Sequence, residues 1–144
     1  MANQVVLDTV NSTLTLNGRT IEDTPEGDVF VISYQNNVTN QTQGVSGGVV
    51  IKPTVNKDSA LITVRVLRDR SDDAWFTNQI NQEPIVSLAG SLKTNFTRDG
   101  VDGVETYTIT GGSIQTRSDH TINNTDGEEV SEYILLVSNA VRSL

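Results

Sequence analysis

Residues 61–81, LITVRVLRDRSDDAWFTNQIN, run a strand directly into a helix and narrow the fold more than any other stretch. Ile62, Val64 and Val66 fall on one face of the extended part, with Thr63 and Arg65 on the other. Arg68-Asp69-Arg70 ends the alternation. Ser71 stands where an N-cap belongs, and Asp72 and Asp73 complement the positive end of the helix dipole. Trp75, Phe76 and Ile80 share one side of a short helix over about 71–82, and this apolar stripe is expected to pack on a sheet.

Outward from this stretch the chain reads as short strands. Leu14 and Leu16 alternate with Thr13 and Thr15 and lead into Asn17-Gly18, a hairpin turn signal because both residues accept positive φ. Residues 29–34, VFVISY, are apolar on both faces, which predicts a strand that is central or covered by a partner. Further extended runs cover 85–88, 92–98, 104–110, 114–117 and 130–137, with a turn at 99–103 and a break or bulge at Gly111-Gly112. No linker or repeat divides the 144 residues. The expectation is one domain over 1–144, mainly β, an antiparallel sandwich or barrel with one short flanking helix.

Composition removes several functions. Without cysteine there is no disulfide, thiolate zinc site or cysteine nucleophile. Ten basic against 18 acidic side chains leave a net charge of −8. Arg65, Arg68 and Arg70 interleave with Asp69, Asp72 and Asp73 rather than forming a basic stripe, so tight nucleic-acid binding is not expected. The opening MANQVV has neither the basic nor the apolar part of a secretory signal, and no run approaches the ~20 apolar residues of a membrane span. A chain that stays in the cytoplasm and does not bind membranes is expected.

No chemistry is legible either. His120 has Ser118 and Asp119 as sequence neighbours, but a catalytic relay needs partners converging from separate elements. The acidic groups Asp99, Asp102 and Glu105, and Asp126, Glu128 and Glu129, lack the spacing of a calcium loop. Gly44 and Gly47-Gly48 have no Lys-Ser/Thr to make a phosphate cradle. No catalytic, cofactor or metal site is expected.

One region departs from a plain β domain. Residues 29–51 hold no charged side chain, although 19% of the chain is charged. The middle of that run is Gln35, Asn36, Asn37, Val38, Thr39, Asn40, Gln41, Thr42, Gln43, Gly44, Val45, Ser46, Gly47 and Gly48, too polar for a core. Charge depletion marks the buried centre of protein interfaces. Composition alone leaves two readings, an arm that packs on another subunit and an Asn/Gln-rich flexible loop.

The order of elements carries a resemblance across nearly the whole chain. TLTLNG (13–18) precedes Gly27-Asp28 and VFVISY (29–34); GVSGG (44–48), LITVRVLRDRSDDAWF (61–76), ETYTITGGSI (105–114) and EYILLV (132–137) follow. This succession resembles the tail tube proteins of tailed bacteriophages, especially contractile-tailed ones, a fold group shared with the inner tubes of type VI secretion systems. The resemblance implies six copies closing into a ring, and rings stacking into a hollow tube through which phage DNA passes. It places a long inter-subunit arm at 35–48. It implies tail sheath, baseplate and tail terminator proteins as partners, no catalytic residues, and a virion tail assembled in the host cytoplasm. A conduit for DNA should repel phosphates. Asp99, Asp102, Glu105, Asp126, Glu128 and Glu129 are therefore expected at the lumen or its rim, with Asp72 and Asp73 on the outer side, open to a sheath. The alternatives are the tube of a related injection or secretion device and a monomeric ligand-binding β-sandwich.

Overall fold

The computed structural model describes residues 4–122, 124 and 129–144. Their elements are β1 (Val5–Leu16), β2 (Arg19–Ile21), β3 (Phe30–Tyr34), β4 (Thr39–Gln43), β5 (Val49–Pro53), β6 (Ala60–Leu67), α1 (Ser71–Asn81), β7 (Leu88–Arg98), β8 (Val101–Arg117) and β9 (Val130–Ser143). Seven strands form one antiparallel sheet in the order β2-β1-β7-β8-β9-β6-β3, and β4 and β5 pair only with each other. The mainly β, antiparallel class with a single short helix is as expected.

The 61–81 stretch folds as its pattern dictates. Ala60, Ile62, Val64 and Val66 are buried on β6 while the residues between them are half-buried. β6 lies between β9 and β3, with Val64 opposite Tyr133 on one side and Phe30 on the other. Two hairpins turn on residues with positive φ. Asn17 (49°) and Gly18 (82°) join the paired Leu16 and Arg19, and Asp99 (52°) and Gly100 (80°) join Arg98 and Val101. The second turn is thus two residues long, shorter than the expected 99–103, because strand pairing resumes at Val101.

β8 continues through Gly111-Gly112 with the expected bulge: its pairing with β7 shifts by one residue here, Gly90 lying opposite Ile109 but Leu88 opposite Gly112. Gly111 has φ 64°, and a Cβ there would stand 2.7 Å from the Ser138 hydroxyl. The buried positions change from Ile109 to Gly112 across it. A residue without a side chain lets the two longest strands bend together here.

The core lies on the concave face. Leu14, Leu16 and Ile21 meet Ile62, Val64 and Val66, Leu88 and Leu92, Ile109, and Tyr133, Leu135 and Val137, with Phe76 of α1 closing the cluster. The sheet curls far enough for the segment after β2, at one edge, to reach the end of β6, next to the other edge: the Leu67 N–H donates to the Asp23 carbonyl at 2.8 Å. Between β3 and the β1–β7–β8 side the curl stays open, as a cleft of about 600 Å3 lined by residues such as Phe30, Ile32, Leu92 and Tyr107.

β3 is not central, since it forms one edge of the sheet; of the two expectations, cover by a partner is the one left. Phe30 and Ile32 are half-buried over the core, while Val31, Ser33 and Tyr34 are exposed. The Tyr34 hydroxyl ties the edge down by donating to the Ala140 carbonyl at 2.6 Å. Its outer apolar face therefore meets solvent in the single subunit.

Candidate assembly surfaces

The uncharged segment is a projecting hairpin. Thr39 pairs with Pro53 and Gln43 with Val49, and every residue of both strands is exposed. The tip closes through the Gly44 N–H to the Gly48 carbonyl at 2.6 Å, with Gly47 at φ 89°. At its neck the Thr54 N–H donates to the Val38 carbonyl at 3.1 Å, and the Asn36 side chain donates to the Asn56 carbonyl at 3.0 Å. The expected boundary at Gly48 falls inside this hairpin, which continues through Pro53. Val49-Val50-Ile51 has the composition of a buried strand, so only the absence of charge through Ile51 pointed to the longer arm. Val38, Val45, Val49, Val50 and Ile51 are all exposed. Isolated two-stranded hairpins are marginal in water, so a partner surface is the natural support for this one.

A second apolar area went unread in the sequence. Val5, Val6, Leu7, Val101 and Val104 are each about half or more exposed at the far end of β1, β7 and β8. The Val5-Val6-Leu7 run at the chain start was its signal.

The helix is fastened more deeply than its sequence indicates. Phe76 is fully buried and stacks on Tyr133 with ring centroids 4.7 Å apart; Trp75 meets Phe76 edge-on at 5.0 Å. Trp75 and Ile80 are half-buried against the same core. The N-cap is Arg70 and makes no side-chain cap bond, whereas Ser71 is already helical. The Ser71 hydroxyl instead donates to the Asp23 carboxylate at 3.0 Å, and Asp73 accepts the Asp69 N–H at 2.9 Å.

Asp72 and Asp73 are not on an open outer surface. They are 1% and 7% exposed, which removes them as groups a sheath could engage. Asp72 accepts the N–H groups of Glu22 and Asp23, each at 2.7 Å, and pairs with the Arg19 guanidinium at 2.9 Å. That satisfied carboxylate locks α1 to β2. Asp73 accepts from the Tyr133 hydroxyl, and Thr77 lies 3.4 Å from the same oxygen. Nearby, His120 Nε2 sits 2.9 Å from the hydroxyl of fully buried Ser131. His120 thus partners a serine distant in sequence, outside the Ser118-Asp119-His120 run, and that serine has no surface on which to meet a substrate.

The candidate lumen acids do not converge. Asp99 accepts the Gln4 N–H at 3.1 Å, and Asp102 accepts the Thr97 hydroxyl at 2.9 Å. Glu105 pairs with Arg142 at 2.9 Å. Glu105 lies an odd number of residues from Asp102 on β8, on the cleft side, so the two point to opposite faces. Glu129 is exposed, and Asp126 and Glu128 lie outside the described residues.

The convex face of β2, β1, β7, β8 and β9 has a different character. Register places Thr20, Thr15, Ser91, Thr108 and Val141 in one row across it. Thr13, Lys93, Thr106 and Ser143 form the next row. Seven of these nine side chains are hydroxyls, and Lys93 is the one charge.

No protein-family model and no curated protein matches the sequence. Among solved structures the chain is similar to one from the PVC sheath–tube complex, an extracellular contractile injection system in its extended state. The TM-score is 0.61 at 14% identity, over 96% of this chain and 91% of that one. It also aligns with Hcp1 from Flavobacterium johnsoniae at 16% identity, over 88% and 89% of the two chains, but the TM-score of 0.42 is too loose to define a fold. The first likeness extends over nearly the full length of both chains: this chain has a contractile-tail tube protein fold.

Proposed function

We propose that the chain is the structural subunit of an inner tail tube, six copies closing into a ring and the rings stacking into a hollow tube that passes phage DNA. The observation that carries this reading, beside the fold, is the uncharged hairpin of β4 and β5, exposed on both faces and bearing apolar side chains. A soluble monomer gains nothing from such an arm, whereas stacked subunits can cover it. The free edge of β3 and the apolar end of β1, β7 and β8 offer further self-complementary contacts. Sheath, baseplate and terminator proteins are the partners this role requires, in a virion tail, and the role is not catalytic. A second reading, the tube of an injection device without a DNA-filled head, is favoured by the source of the similar chain.

Purified protein examined by sedimentation and negative-stain microscopy should show concentration-dependent rings and hollow tubes. A monodisperse monomer at high concentration would overturn the proposal and favour a ligand-binding module. Native particles that carry these tubes with no DNA-filled head would select the second reading.

A further inference from the structure

We infer that the convex face of β1, β7, β8 and β9 is the wall of the channel, a nearly neutral hydroxyl surface whose two central rows carry a single charge, Lys93. The inference rests on the tube reading and says what the passing cargo touches. Three observations support it. The face is wet in chemistry: Thr15, Ser91 and Thr108 lie side by side across three strands, and the buried centres of interfaces are depleted in serine and lysine. Its two central rows are also poor in charge, where ordinary solvent-facing surfaces hold roughly one charged residue in three or four. Apart from Lys93 the side chains of these rows are short, which leaves a bore clear, and the helix with its aromatic residues lies on the opposite, concave side.

A wall of this kind has a physical rationale. Basic groups repeated along a channel hold a polyanion, and acidic groups repel it, whereas hydroxyls keep their water and do neither. Among the acids expected on the wall, Asp99 lies in the turn between β7 and β8 and Asp102 is the second residue of β8, both at the end of the same strands. They mark a rim, and the two central rows hold no acid.

The chain has no cysteine, so Thr108→Cys introduces a unique thiol in the middle of the face. Tubes of this variant are treated with a small mercurial and imaged by electron cryomicroscopy. Difference density inside the channel is the expected result. Density on the outer surface, or a thiol left unreacted in intact tubes, overturns the wall assignment while the tube reading stands. Absence of tubes from the wild-type chain overturns both. If Thr108→Cys does not assemble, Lys93→Cys carries the same label at a position already exposed. Failure of both variants beside a competent wild type means that the face packs against protein, and this too overturns the inference.

Discussion

Burial pushes the Asp73 carboxyl upward, yet the Tyr133 hydroxyl, the Asp69 N–H, Ser131 and the field of His120 together hold it below its ordinary value. Burial and the bond to Asp73 push the Tyr133 phenol up to about 12. The signs fix a pH profile. A carboxyl depressed in the folded state contributes stability that is present above its unfolded value of ~4 and lost as pH falls through the lower folded value. A phenol raised from ~10 contributes stability that is full below ~10 and lost as pH rises through about 12. Denaturant titrations across pH should therefore give a plateau with an acid and an alkaline limb, and Tyr133→Phe should make both limbs shallower. Identical limbs in the variant and the wild type would sink this account. At this scale the sequence was half legible. Phe76 fell on the apolar stripe because three- and four-residue spacing is local information. The burial of Asp72 and Asp73 was not legible, because Arg19 lies 53 residues from one and Tyr133 60 from the other.

Elements whose signal is local were the readable ones. β6 and α1 declared themselves through a period-two run ending in a helix, and the Asn17-Gly18 turn through its backbone requirement. β3 was legible only in part because an apolar run states that a strand is covered by something, and strand order alone decides whether the subunit itself supplies the cover. The arm was cut short at Gly48 for a related reason, since Val49-Val50-Ile51 imitates a core strand. Its neck yields a prediction. Val38 and Thr54 are already joined by a hydrogen bond, so replacing residues 39–53 with a two-residue Gly-Ser link should leave the body intact. The free energy of unfolding should change by less than ~0.5 kcal/mol, because no residue of the hairpin is buried. Axial tube growth should be lost. Normal tubes from this variant would show that the hairpin is an ordinary loop.

For the whole molecule, the succession of elements was readable where the residues were not. A likeness at 14% identity keeps the fold over nearly the full length of both chains while most side chains change. Net charge also acts at this scale, and each ring of six would carry six times the −8 of one chain. Screening lengths shrink from ~30 Å at 0.01 M salt to ~8 Å at 0.15 M, so light scattering should show faster tube growth at the higher salt. Faster growth at low salt would mean that opposite charges across contacts outweigh the repulsion. The closed neck of the hairpin has one more consequence. A segment that enters and leaves the body through a single hydrogen-bonded step is a cassette, and its length and lettering can drift without disturbing the domain that bears it. Two tubes built on the same body could thus come to refuse each other's subunits through the arm alone, as locks of one pattern differ only in the key.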